Sequence, residues 1–459
     1  MVIALVHCKQ ITCGAVLCRG RLQASLSSSS TCDGDNKINP PPFTHLSLCC
    51  GGIDAFSLAV WREGGETVLA LDKKLSQIEV AHELYSNLGF KNVDLVHRHL
   101  PISAIADSPD MLEKVRGLTF WSFTPDCGPY GTARGPNASG GQHGLSDVGS
   151  QESHSQFFRL LSLLSEADRP ECILIENVQG YMSASYHTTT DADADGVWVL
   201  RRLKFYGYNV EVHVESGDLS ELPQNRTRLF VVALKGQEAW STWQQHGWPA
   251  PWGPQPPFNS IFCAAESQVC AACWHVQKTC ASVCPFDVRN VWLLQDDYYF
   301  LPDWVVNKFT TTRGYWLNNM YHLVTRDTTQ PQSTLRSTYR PHSGGNQSAK
   351  SMPYGTYVVE IDGRVRMLTE RELGRYMGLS SREVAALPVG RNTYFALGSS
   401  VMVPSAQKIV RALLLALGRH AAPIDRGPDE PLSVISSQHV SSSLVDPEGH
   451  FIVHCHKAT

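Results

Sequence analysis

Between Thr44 and Leu234 the chain switches repeatedly between short apolar runs and helical periods, and few folds accept that alternation. Leu46 to Cys50, Thr67 to Leu71, Leu118 to Phe123, Cys172 to Ile175, Tyr208 to Val214 and Leu229 to Leu234 read as strands. Val93 to Val96 also reads as extended. Ile53 to Arg62, Ser76 to Ser86, Ser153 to Ser165 and Val197 to Lys204 read as helices, the third with a broad apolar face. Strands alternating with helices predict an α/β fold with a mostly parallel sheet covered on both faces. Ligands of such sheets sit beyond the carboxyl ends of the strands.

The rest of the chain is organised differently. Residues 237–357 are rich in Trp, Pro, Cys, Thr and Asn with weak periodicity, which predicts a smaller, irregular second domain. Regularity returns at Val358, and Gln407 to Leu417 reads as a closing helix. Residues 1–42 hold no acid before Asp33 and carry Lys9, Arg19, Arg21 and the run Ser27 to Ser30. That composition fits either an organelle transit peptide or a disordered leader. The Pro/Ser-rich tail, residues 421–459, is expected to be disordered. With 459 residues, 42% hydrophobic and 18% charged, the chain has the composition of a globular protein. No apolar run approaches the roughly 20 residues that span a bilayer, so no membrane partner is expected. A net charge of -4 requires any nucleic-acid contact to come from a local basic face.

Several chemically capable residues fall at strand ends. Cys127 follows the apolar run ending at Phe123, Glu176 ends Ile173-Leu174-Ile175-Glu176, and Arg226 and Arg228 precede Leu229 to Leu234. Cys50, Gly51 and Gly52 follow the first strand and Asp72 follows the second. Alone, each has an ordinary reading: a loop thiol, a helix cap, surface ion-pair partners, a turn residue. Cys50, Gly51, Gly52, Asp72, Cys127 and Glu176 can share one crevice at such strand ends. A thiol nucleophile, a carboxyl group and paired guanidinium groups in this order are a set able to attack and hold an electron-poor pyrimidine.

This ordered set resembles the 5-cytosine DNA methyltransferase family over about Thr44 to Gly418. His45-Leu46-Ser47-Leu48-Cys49-Cys50-Gly51-Gly52 is similar to its glycine-rich first motif, and Thr124-Pro125-Asp126-Cys127 to its nucleophile motif. Glu176-Asn177-Val178 and Gln224-Asn225-Arg226-Thr227-Arg228 match its Glu-Asn-Val and Gln-x-Arg-x-Arg motifs. Arg366 to Glu372 resembles the segment re-entering the catalytic domain, and Leu397-Gly398-Ser399-Ser400-Val401 with Pro404 the closing motif. The resemblance implies a Rossmann-like methyltransferase domain at 43–236, completed by a return segment at 358–420, with a target-recognition domain at 237–357.

It implies a DNA (cytosine-5-)-methyltransferase using S-adenosylmethionine on a cytosine flipped out of duplex DNA. Cys127 would add to C6, Glu176 would protonate N3, Arg228 would hold O2 and Arg226 would support the loop. Cys50, Gly51, Gly52, Asp72, Ser399, Ser400 and Val401 would hold the cofactor, with Asp72 on the ribose hydroxyls. Gly128 to Val148 would be a loop closing over DNA. Transfer RNA is the alternative substrate, and an inactive nucleic-acid-binding relative the alternative class. The chain departs from the family pattern at Asp126, Ser47, Cys49 and Ser399.

Fourteen cysteines, unevenly placed, favour reduced thiols over a disulfide framework. Cys270, Cys273, Cys280 and Cys284 are either a structural zinc site or plain thiols. Arg313, Arg326, Arg336, Arg340 and Lys350, with Trp304, Tyr315 and Trp316, are candidate DNA contacts. A monomer is expected. So is a nuclear location in a eukaryote, with an organelle as the other option, or the cytoplasm in a prokaryote.

Overall fold

The computed structural model describes residues 43–130, 148–182, 195–215, 222–251, 253–262, 299–301, 321–334, 355–360 and 364–419. The leader, the tail, the four zinc-candidate cysteines and most of the loop expected at 128–148 lie outside these. The first half supplies β1 (Thr44–Leu48), α1 (Gly51–Arg62), β2 (Glu66–Asp72), α2 (Leu75–Asn87), α3 (Val93–Val96) and β3 (His97–His99). Next come α4 (Ser103–Ala106), α5 (Pro109–Val115), β4 (Phe120–Phe123), α6 (Val148–Leu163), β5 (Cys172–Asn177), α7 (Asp195–Phe205) and β6 (Tyr208–Glu215). Then follow β7 (Gln224–Asn225), β8 (Arg228–Lys235), α8 (Gln237–His246), β9 (Tyr321–Val324), β10 (Gln332–Ser333), β11 (Gly355–Val359) and β12 (Val365–Met367). The return ends in α9 (Glu370–Tyr376), α10 (Ser381–Ala386), α11 (Arg391–Ser399) and α12 (Val403–Ala416).

The main sheet has the order β3-β2-β1-β4-β5-β8-β6. The β3-β2, β2-β1, β1-β4 and β4-β5 pairs are parallel, and β8 enters antiparallel between β5 and β6. Every residue of β4 and β5 is buried, because both faces of the sheet carry helices. Strand alternation divides the side chains of β4, β5 and β8. Phe120, Leu174, Phe230 and Val232 join the core under α1, α2, α8 and α12. Trp121, Phe123, Ile173, Ile175 and Val231 join the core under α4, α5, α6 and α7. Strand order reverses between β1 and β4, which opens a crevice beyond their carboxyl ends.

The expected extension over Val93–Val96 is corrected to a helical turn. Asn92 adopts a left-handed conformation (φ 56°), and its carbonyl accepts the Leu95 and Val96 amides, so the chain curls before it extends at His97. The first strand likewise stops at Leu48, because Cys49 is left-handed (φ 54°).

From 237 to 357 the described side chains Trp243, Phe258, Ile261, Tyr299 and Tyr357 pack into the core that holds α1 and α12. β11 pairs with β9 and β12, after which the return segment builds its helices. Thr369 with Glu372 and Ser380 with Glu383 form capping boxes that start α9 and α10. Pro404 starts α12, where its missing N–H has no helical partner to lose.

Candidate active site

The carboxyl ends of β4 and β5 and the start of β8 bring the sequence-selected chemistry together. Glu176 lies opposite Phe230 in the antiparallel β5-β8 register, so Arg228, two residues away, is its diagonal neighbour on the same face. Arg228 Nε stands 3.0 Å from Glu176 Oε1. Burial raises the Glu176 carboxyl above its ordinary value, against the pull of Arg228 and Arg226. Cys127, in the loop after β4, is exposed to solvent. Desolvation by the surrounding protein raises its thiol; Arg228 opposes this, and Glu176 and Asp126 add to it.

Arg226 is placed differently from Arg228. It is 1% exposed and donates to the carbonyls of Gly398 (3.4 Å) and Ser400 (2.6 Å), holding the return segment. Burial and the neighbouring Arg228 bring its guanidinium down to about 9. The geometry separates the two arginines into one that faces the carboxyl group and one that braces the loop after α11.

The nucleophile loop is fixed by residues to which no catalytic role was assigned from sequence. Asn177 Nδ2 donates to Pro125 O at 3.3 Å, tying β5 to the loop. The Thr124 hydroxyl donates to the Cys49 carbonyl, tying the same loop to the turn after β1. Asp126 accepts from the Gly128 amide at 3.1 Å and faces Lys74 Nζ at 3.4 Å. Lys74 and that amide hold the Asp126 carboxylate below its usual range despite desolvation. Beneath the loop, Tyr130 and Ser150 hydroxyls lie 2.7 Å apart, and His154 bridges Ser150 O and the Tyr181 hydroxyl at 2.8 and 2.7 Å. Burial pushes His154 down to about 4, so a neutral ring fits this contact. His154 carries no motif signal, because its role depends on where α6 crosses the loop.

The turn after β1 meets the closing motif. A Cβ on Gly52 (φ 77°) would run into the Ala396 carbonyl and the Ser400 hydroxyl, so only glycine fits. The Ser400 hydroxyl accepts the Ile53 amide at 2.7 Å and donates to Ala396 O at 2.8 Å. Gly51 lies against Thr124 and the Ser399 carbonyl. Ser400 and Val401 are buried behind the turn. The Cys50 thiol packs among Ala70 and Ile78, and its amide donates to Leu71 O at 3.0 Å. Cys49 instead lines a cleft with Asp72, Leu100, Ile102, Ser153 and Gln156. Burial pushes Asp72 up to about 6, although the Lys74 amide donates to it at 2.7 Å.

Among the described residues no group of three potential metal ligands converges, and no helix is long and apolar enough to cross a membrane. Of the candidate DNA contacts only Arg326 is described; it pairs with Glu360 at 3.0 Å.

A family model described as C-5 cytosine-specific DNA methylase matches residues 139–414, more than half of the chain. The match takes in Glu176, Arg226, Arg228 and the return segment as far as residue 414, while Cys127 precedes it. No curated protein matches by sequence. Among solved structures, Dnmt2 methyltransferase of S. pombe is similar at 17% identity and a TM-score of 0.52, over 82% of this chain and 99% of that one. Entamoeba histolytica methyltransferase EhMeth is similar at 14% identity and a TM-score of 0.53, covering 82% and 98%. A putative DNA modification methyltransferase from an E. coli prophage is similar at 14% identity and a TM-score of 0.51, covering 82% and 99%.

Proposed function

Since the chain belongs to the C-5 cytosine-specific DNA methylase family, a family of S-adenosylmethionine-dependent methyltransferases, we propose that it methylates C5 of cytosine in duplex DNA through a covalent adduct on Cys127. The observation that carries this reading is the Arg228–Glu176 pair at 3.0 Å, at the strand ends beside the solvent-reaching Cys127.

Cytosine C5 is a weak nucleophile until C6 is attacked. Cys127 as thiolate forms the C6–S bond, and the ring electrons move toward N3. Glu176, its carboxyl kept toward the protonated form by burial, gives its proton to N3, so the ring becomes an enamine rather than an anion. Arg228 donates to the ring carbonyl O2 and holds Glu176 in line. Bound S-adenosylmethionine supplies the electrophilic methyl group that C5 accepts. Loss of the C5 proton to solvent, expulsion of the Cys127 thiolate and return of the N3 proton to the Glu176 carboxylate restore the neutral aromatic ring and both side chains. Asp72 and the backbone at Gly51 and Gly52 are the groups we assign to the cofactor, with Ser399, Ser400 and Val401 shaping the turn from behind. The thiol of Cys50 takes no part. Residues 237–357 are assigned to target recognition.

Fluorine at C5 blocks the final elimination, so intact mass after incubation with S-adenosylmethionine and a 5-fluorocytosine duplex reads the adduct directly. A DNA adduct that vanishes in Cys127→Ala supports the whole reading. An adduct with the matching RNA alone transfers the reading to RNA. Cofactor binding with neither adduct overturns catalysis in favour of an inactive binder.

A further inference from the structure

At the amino ends of β2 and β3, opposite the cofactor cleft, lies a second cavity of about 160 Å³. Ser57, Trp61, Tyr85, Phe90, Val96 and His97 line it, and the exposed Glu66 and Lys91 mark its mouth. The strand β2, with Glu66 at one end and Asp72 at the other, separates it from the cofactor side by roughly 20 Å. The walls are aromatic: Trp61 and Phe90 ring centroids lie 4.6 Å apart, Tyr85 and Phe90 5.0 Å, and Tyr85 and His97 4.6 Å.

His97 is 5% exposed and uses one ring nitrogen internally, with Nε2 3.1 Å from Asp54 Oδ2. The other, Nδ1, is buried and has no hydrogen-bond partner among the described residues. A buried polar atom left without a partner costs about 1–3 kcal/mol, so a ligand group brought within hydrogen-bond reach of Nδ1 removes a real penalty. Asp54 holds the Ser47 hydroxyl at 2.7 Å and the Ser57 hydroxyl at 2.5 Å, and its backbone carbonyl accepts the Tyr85 hydroxyl at 2.8 Å. Three cavity-lining side chains (Ser57, Tyr85 and His97) therefore converge on one residue. That residue is left-handed (φ 56°) and stands two positions after Gly52.

We propose that this cavity binds a small planar nitrogen heterocycle of nucleobase size, and that occupancy is coupled through Asp54 to the turn at Cys50–Gly52. A cavity of about 150 Å³ takes a benzene ring, which sets the size at one or two fused rings. Aromatic walls select a flat ligand. An azole carries both a ring N–H and a ring nitrogen, so one that reaches His97 Nδ1 can pair with it whether that atom accepts or donates. The coupling rests on the cofactor placement proposed above; ligand binding does not.

The test uses the full chain with benzimidazole and, as its hydrocarbon counterpart, indene. Calorimetry is expected to give 1:1 benzimidazole binding at least tenfold tighter than indene, abolished in the cavity-filling variant Val96→Trp. Nuclear resonance shifts in the wild type are expected at His97, Tyr85 and Trp61, which keeps the test valid if that variant fails to fold. Saturating benzimidazole is expected to change the S-adenosylmethionine dissociation constant at least fivefold, and the cofactor to change benzimidazole affinity by the same factor. Equal affinity for indene, shifts at other residues, or no binding overturns the site. Binding that leaves cofactor affinity unchanged overturns the coupling, and failure of the chain to bind cofactor at all overturns the earlier placement instead.

Discussion

Cys127 is pulled in opposite directions by its neighbours, and the signs can be tested singly. Desolvation, Glu176 and Asp126 raise the thiol, while Arg228 and Arg226 lower it. Removing the stronger cation in Arg228→Ala should shift the pH midpoint of iodoacetamide alkylation upward, and Glu176→Gln should shift it downward. Since only the thiolate reacts, alkylation of the wild type should still be rising above pH 9. A midpoint that ignores both substitutions would place the thiol away from the pair. Cys49 offers a second test at this scale. Its left-handed φ of 54° is the conformation that a side chain disfavours by roughly 1–2 kcal/mol. Cys49→Gly should therefore be more stable than Cys49→Ala by about 1 kcal/mol in urea unfolding, part of the gain being offset by glycine's backbone entropy.

Two arginines two residues apart belong to different elements in practice. Arg228, on β8, serves the carboxyl group at the end of β5, whereas Arg226 reaches across to the loop joining α11 and α12. Arg226→Met removes charge-assisted bonds to two carbonyls that carry the return segment, and should cost about 2–3 kcal/mol of stability. Arg228→Ala leaves Glu176 free to protonate and should cost less stability while removing most of the transfer activity. The two measurements, a urea midpoint and the rate of methyl transfer, should thus rank the two variants in opposite order. If Arg226→Met unfolds no earlier than Arg228→Ala, the division of labour between brace and site is wrong.

At the scale of the molecule, what sequence made legible was whatever depends on local pattern. The runs at β4, β5 and β8 are buried on both faces, so their apolar continuity announced them, and the motifs at their ends marked Cys127, Glu176 and Arg228 as candidates. Side-chain direction was not legible. Ser47 is 1% exposed and bonded to Asp54, and the Cys50 thiol is packed away while Cys49 lines the cleft. Those outcomes hinge on a left-handed residue that no apolar pattern encodes. Nor does any local pattern show that α12, far along the chain, locks the edge strand β6. There Lys408 Nζ lies 3.3 Å from Glu215 Oε1, with the Ser405 hydroxyl at 3.0 Å from the same oxygen, both charges nearly fully buried. Glu215 is registered opposite Arg228, so this pair fixes the return helix to the strand flanking the proposed catalytic arginine. Breaking a buried pair from one side leaves the other charge uncompensated and costs about 3–5 kcal/mol, whereas replacing both members is often close to neutral. Lys408→Met should accordingly lower the urea midpoint sharply. Lys408→Met combined with Glu215→Gln should recover most of it, giving a coupling energy of at least about 2 kcal/mol in the double-mutant cycle. Additive losses would mean that α12 is held by its apolar face alone, and that the ion pair follows the packing rather than specifying it.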